Sequence, residues 1–392
     1  MNTSVEAAGK HRLAWRFILL VGITNLFADM AYEGARGVNG AFLGQLGASG
    51  AIVGFVAGSG ELAGYIIRSI SGVFADRTGR YWIDVWVGYI INMLCVPALA
   101  LAGALPAAAG LIVGERIGRG IRRPALSALL SRAGKELGSG RIFGVNEALD
   151  QIGGAIGPLI VALVLVRTNN FRFAFGILLI PALLTLGMLA AAMIASRAVI
   201  DRIDPKPRES GDQFSRQFWI YAAGGALFAA GYADFALIAY HLSRANIAAP
   251  AMISVWYSVA MILSAVSAPL FGLMLDSVGI VALAIAIAIG ATATPLAFLG
   301  RGWVADFGIA VWGIGTVVQD SMLVAIVAKV TPERRHSKAF GYFDTIYGVA
   351  WMAGSVALGV LYERSIWGLV ALSVGAQLAA IPLFFAGAQM TK

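Results

Sequence analysis

The chain has 392 residues, of which 59% are hydrophobic and 13% charged, with a mean hydropathy of +0.80. A soluble domain carries about a quarter charged residues, so this composition excludes a water-soluble globular protein. The formal net charge of +8 requires no nucleic-acid partner, because the distribution of bases among the loops accounts for it.

A bilayer-spanning helix needs about 20 mostly apolar residues. In chain order such stretches fall near 15–40, 50–74, 82–104, 107–130, 142–166, 173–195, 217–242, 250–275, 278–299, 303–328, 338–360 and 366–388. They are too long and too evenly apolar for the alternating strands of a membrane barrel, and backbone polar groups in hydrocarbon must be satisfied within the element. The predicted fold is an all-α integral membrane protein with about twelve transmembrane helices.

Twelve spans put both ends on one side. That side holds twenty of the 29 Lys and Arg, counting Arg122 and Arg123 among its loop bases, while the opposite loops hold Arg167, Arg172, Arg244, Arg301 and Arg364. The positive-inside rule then predicts cytoplasmic termini in a bacterial inner membrane. The first apolar run lacks a small-residue cleavage site and reads as a retained span, not a signal peptide. One cysteine, Cys95, excludes an internal disulfide and any thiolate cluster.

The longest polar stretch, between Arg197 and Arg216, contains Asp-Pro-Lys-Pro-Arg and reads as a cytoplasmic linker. It divides the chain into a six-helix bundle over 1–196, a linker over 197–216 and a second six-helix bundle over 217–392. An internal repeat supports the division. Gly72-xxx-Asp76-xx-Gly79 recurs as Gly272-xxx-Asp276-xx-Gly279, and Phe143-Gly144, Glu147 and Gly157 are echoed by Phe340-Gly341, Asp344 and Gly354. Parallel six-helix repeats are one of the plans used by secondary transporters.

The run Gly72-xxx-Asp76-Arg77-x-Gly79-Arg80 resembles the loop signature between the second and third spans of the major facilitator superfamily. It departs from that signature at its last position, where Tyr81 replaces a customary base. The similarity covers essentially the whole chain and implies two pseudo-symmetric six-helix bundles. It also implies a cytoplasmic gating role for Gly72, Asp76, Arg77, Gly79 and Arg80, with Asp276 as a weaker second latch. On the fourth span, Arg116-xx-Arg119-Gly120 resembles the arginine motif of proton-coupled members, with Arg119 where Gln is usual. On the fifth, Gly153-xxx-Gly157-Pro158 resembles the core of the antiporter motif, with Val161 and Ala162 where a glycine pair is usual. Gly153 and Gly157 equally suit close helix packing, as do Gly54/Gly58, Gly60/Gly64 and Gly114/Gly118.

Ionisable residues inside a membrane are costly and by default functional. Asn25, Asp29, Glu33 and Arg36 recur at offsets of four, four and three on one face of the first helix. Two acids one turn apart at mid-membrane repel each other, and a carboxyl placed there can exchange protons with either side. Glu61 and Arg68 share a face of the second span and read as an ion pair, Arg116, Arg119 and Arg123 stack on the fourth, and Glu147, Asp150 and Gln151 open the fifth. In the second half, Asp234 and His241 share a face, as do Asp306, Gly313 and Asp320, and as do Asp344, Tyr347, Trp351 and Ser355. Asp234, Asp320, Asp344 and Tyr347 are predicted to line a cavity, with Phe235, Tyr232 and Trp256 forming an aromatic wall suited to an amphipathic or cationic organic substrate. His241, near the opposite end of its span, is expected to be solvated.

No Gly-Lys is followed by Ser or Thr, so no phosphate loop exists, and neither HExxH nor GxSxG occurs. The chain therefore reads as no enzyme, with no cofactor and no resident metal. The predicted function is a monomeric secondary carrier of a small molecule, probing both sides of the bilayer by alternating access and exporting by proton antiport. The alternatives are import or exchange of an organic or phosphorylated anion clamped by Arg116, Arg119 and Arg123, and divalent-metal export through Asp29, Glu33 and Glu147.

Overall fold

The computed structural model describes residues 2–133, 139–197, 214–332 and 336–390. Among them every regular element is helical, as unwatered backbone requires. The first half comprises α1 (Asn2–Gln45), α2 (Gly50–Thr78), α3 (Tyr81–Ala98), α4 (Leu105–Ala133), α5 (Ser139–Thr168), α6 (Phe171–Ile177) and α7 (Leu179–Ser196). The second comprises α8 (Arg216–Gly231), α9 (Phe235–Arg244), α10 (Pro250–Val278), α11 (Ile280–Ala291), α12 (Ala293–Leu299), α13 (Trp303–Val317), α14 (Leu323–Val330), α15 (His336–Arg364) and α16 (Ile366–Gln389).

Eleven segments are long and apolar enough to cross a membrane, with α6–α7, α8–α9, α11–α12 and α13–α14 each forming one interrupted span. The remaining expected span is α4, equally long at 29 residues. Its low apolarity comes from Glu115, Arg116, Arg119, Arg122, Arg123 and Arg132. Glu115, Arg116 and Arg122 are buried, so these charges turn toward protein rather than lipid.

The helices gather into two compact units, one of Met1–Ala35, Ile67–Ala102 and Gly114–Pro207, the other of Arg36–Ile66, Gly103–Val113 and Arg208–Lys392. Helix α1 therefore gives Asn25, Asp29 and Glu33 to the first unit and Arg36 to the second. Most of the linker read over 197–216, residues 198–213, lies outside the described residues.

Glycines set how closely the helices approach. In the first unit, a Cβ added at Gly157 would fall on the Met30 carbonyl, and one at Gly153 on the Leu26 carbonyl. In the second, a Cβ at Gly354 would fall on the Ala230 carbonyl and one at Gly54 on the Ser355 carbonyl. Backbone contact of this kind is what small-xxx-small packing provides. The repeat is visible here, since Gly157 on α5 meets Met30 on α1 as Gly354 on α15 meets Ala230 on α8. The turns after α2 and α10 repeat as well. Gly79 and Gly279 have φ of +65° and +63°, a left-handed conformation that costs a residue bearing a Cβ about 1–2 kcal/mol.

Of the three interrupted spans of the second unit, two carry an aspartate at the interruption. Between α8 and α9 the residues Tyr232–Asp234 leave the helix, and Asp234 caps α9 by accepting from Ala236 N at 2.8 Å. The freed carbonyls are met by side chains: Gly231 O accepts from Ser373 Oγ (2.6 Å) and Gln377 Nε2 (3.2 Å), and Ala233 O accepts from Trp312 Nε1 (2.9 Å). Between α13 and α14 the chain widens into a π turn, Val318–Met322.

Gly157→Ala and Gly354→Ala should each force two helices apart and destabilise the protein by about 2 kcal/mol or more. Gly110→Ala, where nothing lies within 4 Å of the new Cβ, should be neutral or stabilising. Thermal unfolding of the three purified variants in detergent compares them directly.

Candidate functional site

The polar face of α1 becomes a buried network in the first unit. Asn25, Asp29 and Glu33 are 7%, 8% and 7% exposed, although none lies at a helix end where water could reach it. Gly153 and Gly154 of α5 allow the close approach, since an added Cβ at Gly153 would lie 3.1 Å from the Asp29 Cβ and one at Gly154 would lie 3.8 Å from the Glu33 Cγ.

Asn25 is the junction of four helices. Its Oδ1 accepts from the Tyr89 hydroxyl of α3 and from Arg122 Nη1 of α4 (3.3 Å), while its Nδ2 donates to Asn146 Oδ1 of α5 (3.3 Å). The Arg122 guanidinium lies over the Tyr89 ring at 4.3 Å and near the Tyr32 ring at 5.9 Å, and Arg119 covers Tyr32 at 4.7 Å. These are cation–π distances, at which a desolvated guanidinium gains about 2 kcal/mol. Asp29 has Tyr32 as a hydrogen-bonding neighbour and lies within electrostatic reach of Glu33, Arg119 and Arg122. Asp150 lies within reach of Asp29, Glu147, Arg122 and Arg123, and its Oδ1 is buried with no hydrogen-bond partner among the described residues.

Two acids and two arginines thus converge on Tyr32. An acid here can hold a proton while Tyr32 accepts or donates, or release it and be compensated by a guanidinium. Arg122 is the main correction to the loop count of bases. It is 4% exposed and serves as the centre of the network, because Tyr89 and Asn25 draw it inward. Arg122, Tyr32, Tyr89 and Asn146 were not singled out by sequence reasoning. The available signals were a tyrosine three residues after a mid-span acid and a base interleaved between Arg119 and Arg123.

Other predicted residues lie elsewhere. Arg116 Nε is 3.2 Å from Glu115 Oε2, whose other oxygen accepts from Asn92 Nδ2 at 2.9 Å. Glu147 accepts from Gln151 Nε2 at 2.8 Å on an exposed surface. Among the described residues no three His, Cys, Asp or Glu converge as metal ligands, and Asp29, Glu33 and Glu147 form no such set. The motif expected as a loop is helical through Thr78, the end of α2, and only Gly79 and Arg80 lie between α2 and α3; Asp76 Oδ1 accepts from the Tyr81 hydroxyl at 2.9 Å, so the residue that departs from the family pattern supplies Asp76 with a donor. Arg77, Arg80 and Asp276 are exposed.

In the second unit Arg36 pairs with Glu61 at 3.2 Å. Asp344, Tyr347, Trp351 and Ser355 are all buried along one face of α15. Asp234 is 4% exposed and Asp320 is exposed. Gly313 packs against Ala260 of α10, whereas Asp320 lies toward Tyr232 and Tyr347. Trp256 is half-buried on α10, and Phe235 and Tyr232 are fully buried. His241 is also buried, with Nδ1 3.1 Å from the Tyr362 hydroxyl, contrary to the expectation of a solvated ring. Phe298 and Tyr362 enclose it.

The family model described as Major Facilitator Superfamily matches residues 21–355. Uncharacterized proteins of Mycobacterium tuberculosis and Mycobacterium bovis are 35% identical over 388 residues, covering 95% of this chain and 93% of theirs. Among solved structures, the fold is similar to a POT family transporter in complex with 5-aminolevulinic acid (TM-score 0.76, 13% identity, 96% and 97% of the two chains). It is also similar to the peptide transporter POT in complex with sulfate (0.74, 14%, 97% and 98%) and to the nucleoside transporter NupG (0.72, 13%, 96% and 100%).

Arg122→Ala should destabilise the protein by about 3–5 kcal/mol, because it leaves buried acceptors and acids without their cation. Adding Asp29→Asn should recover part of that loss if the two groups are coupled. A double-mutant cycle read from thermal unfolding in detergent gives the coupling, and strict additivity would exclude it.

Proposed function

We propose, from the premise that the chain belongs to the Major Facilitator Superfamily, that it is a proton-coupled exporter of a small molecule working by alternating access. The observation that carries this reading is the buried meeting of Asp29 and Glu33 with Arg119, Arg122 and Tyr32. A proton taken from one side neutralises Asp29, which then shares it with Tyr32 and leaves the arginines without that anion. Release to the other side restores the carboxylate and its attraction to Arg119 and Arg122. Two states of the first unit thereby differ by one proton, which is the differential interaction that a gradient needs in order to shift a conformational equilibrium.

The carrier divides into bundles over 1–196 and 217–392, sits in the bacterial inner membrane and keeps both termini in the cytoplasm, consistent with its loop bases. Each molecule works as a monomer, exchanging protons for its substrate. The segment of Gly72, Asp76, Arg77, Gly79 and Arg80, formed by the last turns of α2 and the turn after it, acts as the cytoplasmic gate. Its left-handed Gly79 and the Tyr81–Asp76 bond support the view that the loop has one defined closed form.

In proteoliposomes, Asp29→Asn should retain substrate binding and downhill exchange while losing proton-linked uphill transport. Lumenal pH and accumulated substrate are the paired readouts, and a variant that still concentrates substrate against its gradient removes Asp29 from the coupling step. Tyr81→Phe should loosen the cytoplasmic loop, raising the labelling rate of a cysteine placed at Arg77 about two- to fivefold, a shift of under about 1 kcal/mol in gate closure.

A further inference from the structure

Helix α5 carries two acids that the meeting of charges at Tyr32 does not use. Glu147 and Asp150 stand three residues apart, which places their Cβ atoms about 5–6 Å from each other on one face of the helix. The next position on that face is Gly153, which has no side chain. A Cβ built there would lie 3.1 Å from the Cβ of Asp29, so Asp29 of α1 stands where a side chain at 153 would stand. The face therefore presents three carboxyl groups at intervals of about one turn, two from α5 and the third supplied by α1.

Water access falls along this row. Glu147 is exposed, Asp150 is half-buried and Asp29 is 8% exposed. Chains of carboxyl groups are a means by which protons cross the interior of a membrane protein. The charged groups within reach of Asp150 are its two neighbours in the row, Asp29 and Glu147, together with Arg122 and Arg123 of α4. Tyr89 of α3 also feels Asp150. Those within reach of Asp29 are Glu33, Arg119 and Arg122, beside its hydrogen-bonding neighbour Tyr32.

The middle acid lies among complementary polar atoms. Asp150 Oδ1 is a buried acceptor with no partner among the described residues, and Arg122 Nε and Asn146 Nδ2 are buried donors in the same condition. Buried polar groups are as a rule bonded. These three belong to one cluster. Asn146 precedes Asp150 by one turn and bonds to Asn25, Arg122 Nη1 bonds to the same Asn25, and Arg122 lies within reach of Asp150. Two donors beside one acceptor are what a carboxylate at 150 requires once it has given up a proton.

We infer that Asp150 is the relay through which protons pass between exposed Glu147 and buried Asp29, with Arg122 and Asn146 holding its carboxylate between transfers. This rests on the reading of Asp29 as the coupling acid. In each step one carboxyl O–H bond breaks and another forms. Glu147 gives its proton to the Asp150 carboxylate, and Asp150 then gives a proton to the Asp29 carboxylate, the negative charge moving one place back each time. Release runs the same steps in reverse, and no other reactant is needed. Gly153 belongs to the device, because a Cβ there would push Asp29 out of the row.

A stopped-flow pH jump on the full-length protein in detergent tests the relay without a substrate, read in the infrared carbonyl stretch of protonated carboxyl groups. The component lost in Asp29→Asn reports the proton on Asp29. That component should form at least tenfold more slowly in Asp150→Asn than in wild type and at least threefold more slowly in Glu147→Gln. Asp150→Glu should stay within twofold of wild type. Azide, a small weak base that carries protons by diffusion, should return Asp150→Asn to within twofold of wild type, which it would not do for a merely structural defect. Should Asp150→Asn not fold, Glu147→Gln, altered at an exposed position, decides with azide. An unchanged rate in the variants, or slowing that azide leaves in place, would overturn the relay and leave Asp29 as a proton carrier. A wild type whose Asp29 component does not respond to the jump would overturn the reading of Asp29 itself, and the relay with it.

Discussion

A guanidinium held within a membrane bundle must be compensated by protein, because water is not there to do so. Arg122 meets that requirement through Asn25, Tyr89 and Tyr32, and in doing so ties α1, α3 and α4 together, while Asn146 brings in α5. Short side chains and aromatic faces reach the cation only if the helices approach closely. The glycines at 153 and 157 permit that approach, since any Cβ there would meet the α1 backbone. The same contact seals Asp29 from solvent and sets it among Glu33, Arg119 and Arg122. Burying one base thus dictates helix spacing, and helix spacing decides which charged groups surround Asp29.

The second unit solves the hydrocarbon constraint differently. Its charges are fewer, and its unusual polar groups are the backbone carbonyls freed at the break between α8 and α9. Ser373, Gln377 and Trp312 supply the donors that lipid could not. Trp312 is then fixed by its indole hydrogen bond as well as by packing. Tyr232 is likewise fixed, its hydroxyl bonded to the Trp312 carbonyl. The indole that satisfies the unwound backbone is thereby tied to the Tyr232 ring as well.

Much of this was legible in the residue order. The length and apolarity of each run identify the spans, because the bilayer thickness fixes both. The repeat at Gly79 and Gly279 was readable because a left-handed turn admits little but glycine, and the fourfold spacing of Asn25, Asp29 and Glu33 placed them on one face because the helix period is invariant. Their partners were not readable. Tyr89 and Asn146 lie 64 and 121 residues from Asn25, and no local pattern links them. Arg122 looked like a loop anchor because its neighbours in sequence are basic. Glu61 was matched on helical spacing to Arg68, whereas in the folded chain it bonds to Arg36 of the preceding helix.

The breaks in the seventh and tenth spans were also hidden, and for a related reason. Nothing in Gly-Tyr-Ala-Asp or Val-Gln-Asp-Ser forbids a helix, and only donors from α13 and α16 make the open backbone affordable. The sequence by itself determined that this is a membrane protein of helical spans with a repeated plan and an acidic face on its first helix, since those follow from composition and short-range periodicity. Which acid meets which base, where the helices break and which aromatic rings face the aspartates were decided by tertiary structure alone, because each depends on groups brought together from distant parts of the chain.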